Sequence, residues 1–370
     1  MNPREARIAA IQTAPVTMDA RPDLVVHGAK GTHDRSDFLL VRVVTTDGVE
    51  GYGEVSATPL WSGEDGVSAR HFIAELLAPA LLGKPLAPVG VLESTVDTVL
   101  AANPFTKAGV SIALWDAFAR TLGVPLAVAL GGPYRDEVPI KLSLSGDGDR
   151  LDKAYETASR AGFRAFKVKV GLGVPGDLAR MARARELAGP DAFLGMDANG
   201  GWSRAEARAA LRGLAEFGPA FVEQPVAPGD LEGMAALRPA GLPVVADEAV
   251  FGTEDLLRLA RADAADVVSV YVGKAGGPGR AVALARLAET SGLDVLIGSN
   301  GELGIGAAAQ LHVACALPRL SSFPSDIIGA HYYAEDVLAE PLDSDGTRVR
   351  LGDGAGLGVV PRSDLRGRFT

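Results

Sequence analysis

The sequence has almost none of the residues that hold small secreted domains or zinc modules together. Its 370 residues include one cysteine, Cys315, and five histidines. A single cysteine excludes an intrachain disulfide, and no Cys-x-x-Cys pair is present to bind zinc. Cys315 lies in the apolar segment AAAQLHVACALP, which predicts a buried helix position. We therefore expect the protein to work in a reducing compartment.

Long apolar runs and basic clusters are also missing. No uninterrupted apolar stretch reaches the ~18 residues of a membrane span, and Glu5 and Arg7 fall where the apolar region of a signal peptide would lie. The net charge is −10, with no run of lysine or arginine to offset it locally, which disfavours binding to nucleic acid or to an anionic membrane. We expect a cytoplasmic protein with no nucleic-acid partner and no membrane partner.

What is present is a globular composition with two kinds of periodicity. Hydrophobic residues make up 47% of the chain, which suits a sizeable core. Residues 38–54 alternate around Asp47-Gly48, a strong hairpin signal. A later segment has apolar residues at helical spacing before a glycine stop, namely Val110, Leu114, Phe118, Leu122 and Gly123. The first ~135 residues therefore predict an α+β domain.

From about Val138 the sequence alternates short apolar strands with helical segments, as parallel α/β proteins do. Charged residues interrupt this pattern at nearly one interval: 28 residues from Lys169 to Asp197, 26 to Glu223, 24 to Asp247 and 27 to Lys274. One βα unit of a (β/α)8 TIM barrel has that length. We therefore predict an α/β fold with a barrel at about residues 136–340, its eighth strand lying near Leu320 to Asp326.

Three carboxylates stand at the carboxyl ends of consecutive predicted strands: Asp197, Glu223 and Asp247. Such ends meet on one face of a barrel, where active sites form. Three carboxylates this close repel one another unless a cation neutralises them. Ligation by oxygen alone favours Mg²⁺, with Mn²⁺ as a possible substitute. The competing interpretation is that they are solvated loop carboxylates or salt-bridge partners.

Lysines flank this predicted metal site. Lys167 and Lys169 are two residues apart on one strand, so both point to the barrel interior. Lys274 lies on the opposite side of the barrel. Because neighbouring cations lower the pKa of a lysine, we predict that a lysine here serves as a general base. Alternatively, Lys274 only holds an anion ahead of Gly276-Gly277.

Taken together, these motifs resemble the muconate lactonizing enzyme subgroup of the enolase superfamily, in the mandelate racemase/muconate lactonizing enzyme family. The motifs are Lys-Val-Lys (167–169), Asp-Ala-Asn (197–199), Glu-Gln-Pro (223–225), Asp-Glu (247–248) and Lys-Ala-Gly-Gly (274–277). The segment ALWDAFARTLGVPLAVALGG (113–132) also resembles the capping-domain helix of that family. The similarity covers nearly the whole chain.

The resemblance implies a capping domain at 1–135, a modified barrel at 136–340, and a segment at 341–370 that returns to the capping domain. It also implies that Asp197, Glu223 and Asp247 bind Mg²⁺, that Lys169 and Lys274 form the acid/base pair, and that Lys167 holds a substrate carboxylate. The chemistry would be formation or use of an ene-diolate next to a carboxylate. The substrate would be a small carboxylic acid, and the protein a homo-oligomer.

Other residues bear on the substrate. Glu302 matches a position where muconate cycloisomerases keep a glutamate, and Asn199 is a second candidate for substrate binding. Ile328 replaces the second aspartate that dipeptide epimerases carry. These features favour a muconate-type cycloisomerase over an N-acylamino acid racemase or epimerase or an o-succinylbenzoate synthase. Three residues in segments that this family folds over the barrel mouth could form a lid: His27, His33 and Trp61.

Two alternatives come from other function classes. Gly171, Gly173 and Gly176 follow a strand and precede a helix, which matches the dinucleotide fingerprint of an NAD-dependent dehydrogenase. Against that reading, the preceding strand carries two lysines and Pro175 interrupts the loop. A non-catalytic metal-binding barrel is the other alternative, although such a site has no use for flanking lysines.

Overall fold

A computed structural model describes residues 3–370 of the chain. The strands are β1 (Ile8–Asp19), β2 (Val26–Gly28), β3 (Gly31–His33), β4 (Arg35–Thr45), β5 (Glu50–Val55), β6 (Glu137–Pro139), β7 (Leu142–Leu144), β8 (Ala165–Lys169), β9 (Phe193–Asp197), β10 (Val222–Glu223), β11 (Val244–Ala246), β12 (Val267–Val270), β13 (Asp294–Ile297) and β14 (Arg348–Arg350).

The α-helices are α1 (Pro59–Ser62), α2 (Gly66–Phe72), α3 (Ala78–Leu81), α4 (Val89–Val99), α5 (Pro104–Leu122), α6 (Leu126–Ala129), α7 (Asp149–Arg160), α8 (Val174–Ala188), α9 (Arg204–Leu214), α10 (Leu231–Ala235), α11 (Thr253–Arg261), α12 (Val272–Ala275), α13 (Pro278–Thr290), α14 (Gly304–Ala316) and α15 (Ser363–Arg366). No helix within residues 3–370 is long and apolar enough to cross a membrane.

The N-terminal part of the chain is an antiparallel sheet, β1-β4-β5, with helix α5 packed on it. The predicted hairpin is present: β4 and β5 pair antiparallel, and Gly48 in their turn has a φ of 81°. Close packing of helix on sheet requires glycine at Gly53, where a Cβ atom would lie 1.9 Å from the carbonyl oxygen of Gly109. Helix α5 ends at Gly123, as predicted, in a left-handed conformation. This sheet and its helices form the cap of the molecule.

The second part is a curled parallel sheet with strand order β7-β8-β9-β10-β11-β12-β13 and helices between the strands. The register sets Lys169 beside Asp197, and Asp197 beside Glu223. The carboxyl ends of the strands therefore bring the predicted site residues to one face. The prediction of a modified (β/α)8 barrel is confirmed.

The eighth strand was predicted wrongly, because residues 320–326 do not form a regular strand. This segment closes the barrel through separate hydrogen bonds: Ser321 N donates to Val295 O at 2.7 Å and Lys141 N donates to Ser325 O at 2.9 Å. Pro324 has no N–H group and interrupts any continuous ladder. The seam between β13 and β7 is thus made by an irregular segment that ends at Asp326.

The chain returns to the cap after the barrel. Strand β14 pairs antiparallel with β6, and Leu357 N donates to Asp116 Oδ1 on α5 at 2.7 Å. Farther on, Thr370 N donates to Thr13 O on β1 at 3.1 Å. The cap is therefore built from both ends of the described chain.

Glu54 joins the cap to the barrel at the start of helix α14. It is buried at 3% exposure and accepts hydrogen bonds from the backbone N–H groups of Leu303 at 2.7 Å and Gly306 at 2.9 Å. Burial raises the pKa of Glu54 to about 8, and the charge of nearby Glu302 contributes to the increase. The junction is thus most stable when this carboxyl is protonated.

The raised pKa of Glu54 predicts a pH-dependent stability. A carboxyl that binds its proton more tightly in the folded state stabilises the fold fully below its ordinary pKa of 4.5, and this contribution is lost as pH rises towards 8. Glu54→Gln removes the titration, so the free energy of unfolding should fall less in the variant than in the parent between about pH 5 and about pH 8. Urea unfolding measures this, and parallel pH profiles would contradict the assignment.

Candidate active site

The carboxyl ends of the barrel strands open into a cavity that the cap covers. Cap residues Lys30, His33 and Trp61 line it on one side, and Lys169 and Asn199 line it on the other. Its volume is about 100 Å³, enough for a small molecule, since a single water needs only ~10–15 Å³ by the same measure. The cavity therefore lies between the two parts of the chain.

Lys169 is one of two predicted site lysines that line this cavity; the other is Lys167. The Nζ atom of Lys169 donates to Asp197 Oδ2 at 2.6 Å and to Asn199 Oδ1 at 2.9 Å. An ammonium group carries three N–H bonds, so one remains for a bound molecule. Burial alone would lower the pKa of Lys169, but the charges of Asp197 and Glu223 outweigh it and raise the pKa. The sequence-based prediction of a lowered pKa assumed that a metal ion neutralises these carboxylates, and it stays a prediction.

Lys167 lies deeper in the barrel, among carboxylates. Its Nζ donates to both carboxylate oxygens of Glu223, at 3.0 and 3.1 Å, and to Asp326 Oδ2 at 3.3 Å. Burial raises the pKa of Glu223 to about 8, and the negative charges of Asp197 and Asp247 also raise it, although Lys167 opposes them. Lys167 lines the cavity and offsets negative charge in its wall.

A further buried lysine, Lys141, was not predicted. It is fully buried and donates to Asp326 Oδ2 at 2.8 Å and to Pro324 O at 2.7 Å. A signal was available, because Lys141 interrupts the apolar segment VPIKLSLS in the same way that Lys167 interrupts FRAFKVKV. Lys141 and Lys167 together hold Asp326 at the barrel seam.

Lys274 occupies a different environment. It lies in the short helix α12, just after β12, and is 2% exposed. Its Nζ donates to Asp247 Oδ1 at 2.6 Å, to Asp247 O at 2.8 Å and to Ser269 O at 2.9 Å. Tyr271 donates its hydroxyl proton to Asp247 Oδ2 at 2.7 Å. All three N–H bonds of Lys274 therefore have acceptors inside the protein, and Lys274 is not among the residues lining the cavity.

The three predicted metal ligands contact lysines in this structure. Within residues 3–370, no three acidic, histidine or cysteine side chains are grouped as a metal site. Asp197 contacts Lys169, Glu223 contacts Lys167 and Asp247 contacts Lys274. Lysine ammonium groups are the nearest positive charges that can relieve the repulsion between buried carboxylates.

The donor set nevertheless fits a hard divalent cation. All three predicted ligands are buried carboxylates from adjacent strands, the oxygen ligands that Mg²⁺ prefers. Glu248, next to them, has a buried Oε2 atom without a hydrogen-bond partner. Burial and the charges of Asp247 and Asp197 raise the pKa of Glu248 to about 7. This excess of negative charge is what a cation would neutralise.

Of the two residues predicted to bind substrate, only Asn199 lines the cavity. It links Lys169 to Glu248, whose Oε1 accepts from Asn199 Nδ2 at 3.0 Å. Glu302 does not line the cavity. Its carboxylate turns under the loop, where it accepts a hydrogen bond from Ser299 Oγ and one from Gln310 Nε2 of helix α14 at 2.8 Å. The carboxylate of Glu302 is therefore hydrogen-bonded inside the protein.

Among the predicted lid residues, His33 and Trp61 line the cavity, whereas His27 does not. His27 contacts Thr32 Oγ1 through Nδ1 at 3.0 Å. Successive residues of a strand point to opposite faces, and the neighbours Val26 and Gly28 face the cavity. The lid role of these residues stays a prediction, and the His27 side chain lies outside the cavity.

Two family models match the chain. Residues 9–131 match the N-terminal domain of mandelate racemase and muconate lactonizing enzyme, and residues 149–365 match the enolase C-terminal domain-like model. The chain belongs to the enolase superfamily. Muconate cycloisomerase 1 of Rhodococcus opacus is 34% identical over 88% of this chain and 89% of its own length.

Two further proteins are similar to this chain over nearly its whole length. N-succinyl-L-Arg/Lys racemase of Bacillus cereus is 29% identical over 98% of each chain. The crystal structure of muconate lactonizing enzyme from Pseudomonas fluorescens, complexed with muconolactone, has a TM-score of 0.92 and 30% identity, covering 99% of this chain and 100% of that one. The chain is thus an isomerase or lyase of the enolase superfamily, and the family prediction is confirmed.

The family also overturns the dehydrogenase alternative. The glycine-rich loop after β8 is held by a side chain of the protein itself. Asp177 accepts from Gly171 N at 3.1 Å, from Leu172 N at 3.2 Å and from Trp202 Nε1 at 2.8 Å. The N–H groups of Gly171 and Leu172 are the backbone donors that a dinucleotide phosphate would need.

Replacement of Glu223 by Gln tests the predicted metal site. The variant removes one negative charge from the three carboxylates, so Mg²⁺ affinity should fall by more than the ~10–100-fold typical of a residue outside the ligand shell. Glu302→Gln is the matched control, because Glu302 is also a buried carboxylate but is not one of the three predicted ligands. Isothermal calorimetry measures both affinities, and an equal effect in the two variants would reject the site.

Proposed function

We propose that the protein is a Mg²⁺-dependent cycloisomerase of a muconate-like dicarboxylate. The observation that carries this proposal is the unequal access of the two predicted acid/base lysines. Lys169 lines the cavity and keeps one N–H direction open, whereas Lys274 is buried with three internal acceptors. A cycloisomerisation needs one proton donor, but a racemisation needs a proton-transfer group on each face of the substrate.

Under this proposal Asp197, Glu223 and Asp247 would hold the Mg²⁺ ion. Its chemistry is to stabilise the negative charge that develops on a substrate carboxylate. One carboxylate of the substrate adds across a double bond, and the carbon next to the other carboxylate becomes electron-rich. Lys169 then delivers its proton to that carbon. The side chain of Lys169 is only 13% exposed, which limits contact with water, so that the proton comes from the lysine.

The charge of the cavity supports the same substrate class. Lys30 lines the opening on the cap side and places a positive charge where a second carboxylate would lie. The cavity carboxylate Asp326 is paired with Lys141 and Lys167, and it does not offer an unpaired charge to a substrate ammonium.

The alternative function is racemisation of an N-acylamino acid. The relative from Bacillus cereus, which matches 98% of each chain, is named for that activity, and this chain keeps both lysines. An o-succinylbenzoate synthase would also be compatible with a single acting lysine.

Replacing the two lysines separately tests the unequal roles. Lys169→Met should lower turnover by at least the ~10²-fold typical of a lost acid/base group. Lys274→Met should retain more activity, because Lys274 does not face the cavity and acts on the site only through Asp247. Circular dichroism checks that both variants fold, and steady-state kinetics compares them. Equal losses in the two variants would contradict the one-lysine mechanism.

The substrate itself is tested by incubation in D₂O. With Mg²⁺ present, the enzyme should convert cis,cis-muconate to a lactone that carries one deuterium at the protonated carbon. One enantiomer of an N-succinylamino acid, under the same conditions, should keep its α-proton and its configuration. Failure to consume muconate, together with deuterium at the α-carbon of the amino acid, would replace the proposal by the racemase alternative.

A further inference from the structure

We infer that Trp61 of the cap determines that only one of the two lysines reaches the substrate, by covering Lys274. This inference rests on the proposed function and extends it. It names the side chain that would limit the enzyme to cycloisomerisation, which uses one lysine, and prevent racemisation, which uses two. It predicts that proton transfer from the second face is suppressed by packing, although the residue required for it is present in the chain.

Aromatic side chains enclose the ammonium group of Lys274. Its Nζ lies 4.1 Å from the ring centroid of Tyr271, within the range of a cation–π contact. The indole of Trp61 stacks on that same ring, with centroids 5.4 Å apart and planes inclined by 9°. Trp61 and Phe251 lie at 5.9 and 5.8 Å from Nζ. Trp61 and Tyr271 line the cavity, whereas Lys274 does not, so their stack is the cover that we infer.

The position of Trp61 is fixed by the cap. Phe105 packs edge-on against the indole at 5.8 Å. The backbone at Phe105 is in turn held by Glu64, which accepts from Phe105 N at 3.1 Å and from Thr106 N at 2.8 Å. Glu64 is itself buried, at 3% exposure. The indole of Trp61, which lies in the short helix α1, thus packs against the start of helix α5.

A glycine in the barrel, Gly273, allows close contact with the aromatic side chains of the cap. Gly273 precedes Lys274, and a Cβ atom at that position would lie 2.3 Å from Phe105 Cε1. Only glycine therefore allows the turn that carries Lys274 to contact the aromatic group of the cap. The cap and the barrel meet closely at the lysine that we infer to be covered.

Removal of the indole should give the second lysine access to the substrate. In that case one lysine takes the α-proton of a carboxylate substrate, the C–H electron pair passes into the ene-diolate, and the other lysine returns a proton to the opposite face. The configuration inverts with no net change in composition. The parent enzyme should lack this exchange, and it should arise only when both lysines are present.

The first test measures access directly and does not require turnover. The parent, Trp61→Ala and Trp61→Phe are treated with a small amine-acylating reagent, and modification of Lys274 is measured by peptide mass spectrometry. Modification should rise several-fold in Trp61→Ala and stay near the parent level in Trp61→Phe, which keeps an aromatic ring. Trp61→Leu replaces the alanine variant if a thermal melt shows that alanine unfolds the cap. Unchanged modification of Lys274 in the folded variant would overturn the inference.

The second test measures α-proton exchange on N-acetyl- and N-succinylamino acids in D₂O with Mg²⁺. Trp61→Ala should exchange and invert them several-fold faster than the parent, and the gain should disappear in Trp61→Ala/Lys274→Met. A gain that survives loss of Lys274 would overturn the inference. The two claims are separable: a parent enzyme that already racemises these acids rejects the proposed function, whereas unchanged lysine access rejects the role of Trp61.

Discussion

The site depends on the cost of burying charge inside the barrel. Lys141, Lys167 and Lys274 are buried together with the carboxylates that they contact. Each of these ions would be strongly destabilising alone, and removing one partner of a buried pair typically costs ~3–5 kcal/mol. The barrel therefore tolerates them only as a connected set. That requirement fixes the register of β8, β9 and β10 and also brings the irregular segment before Asp326 to the seam, where it supplies a counter-charge for two lysines.

Much of this arrangement was readable in the sequence, because a charged residue at the end of an apolar strand is a local signal. Lys169, Asp197 and Glu223 were found in this way, and the regular spacing placed them on one face. Neither local pattern nor family resemblance fixes the rotamer of a side chain, which is why the sequence did not show that Glu302 turns under its own loop. Nor does it show contacts between distant segments: the stack of Trp61 on Tyr271 joins the cap to the barrel across about two hundred residues of chain.

The two parts of the chain have different tasks at the site. The barrel supplies the lysines and carboxylates, whereas the cap supplies Lys30, His33 and Trp61 around the opening. Glu54 attaches the cap to the start of helix α14. Glu64 binds the backbone at the start of α5 within the cap. Chemistry common to the superfamily can therefore stay in the barrel, while the substrate that is accepted changes with a few side chains in the cap.

The return of the chain to the cap imposes an order on synthesis. Strand β1 is hydrogen-bonded to Thr370, and Asp116 of α5 accepts from Leu357, so the N-terminal sheet lacks these neighbours until the whole barrel segment has been translated. Chains emerge from the ribosome at ~5–20 residues per second and usually fold from the N-terminus. Here the first domain to emerge is the last to be completed, and a nascent chain must keep that unfinished sheet from aggregating for the time taken to make the barrel.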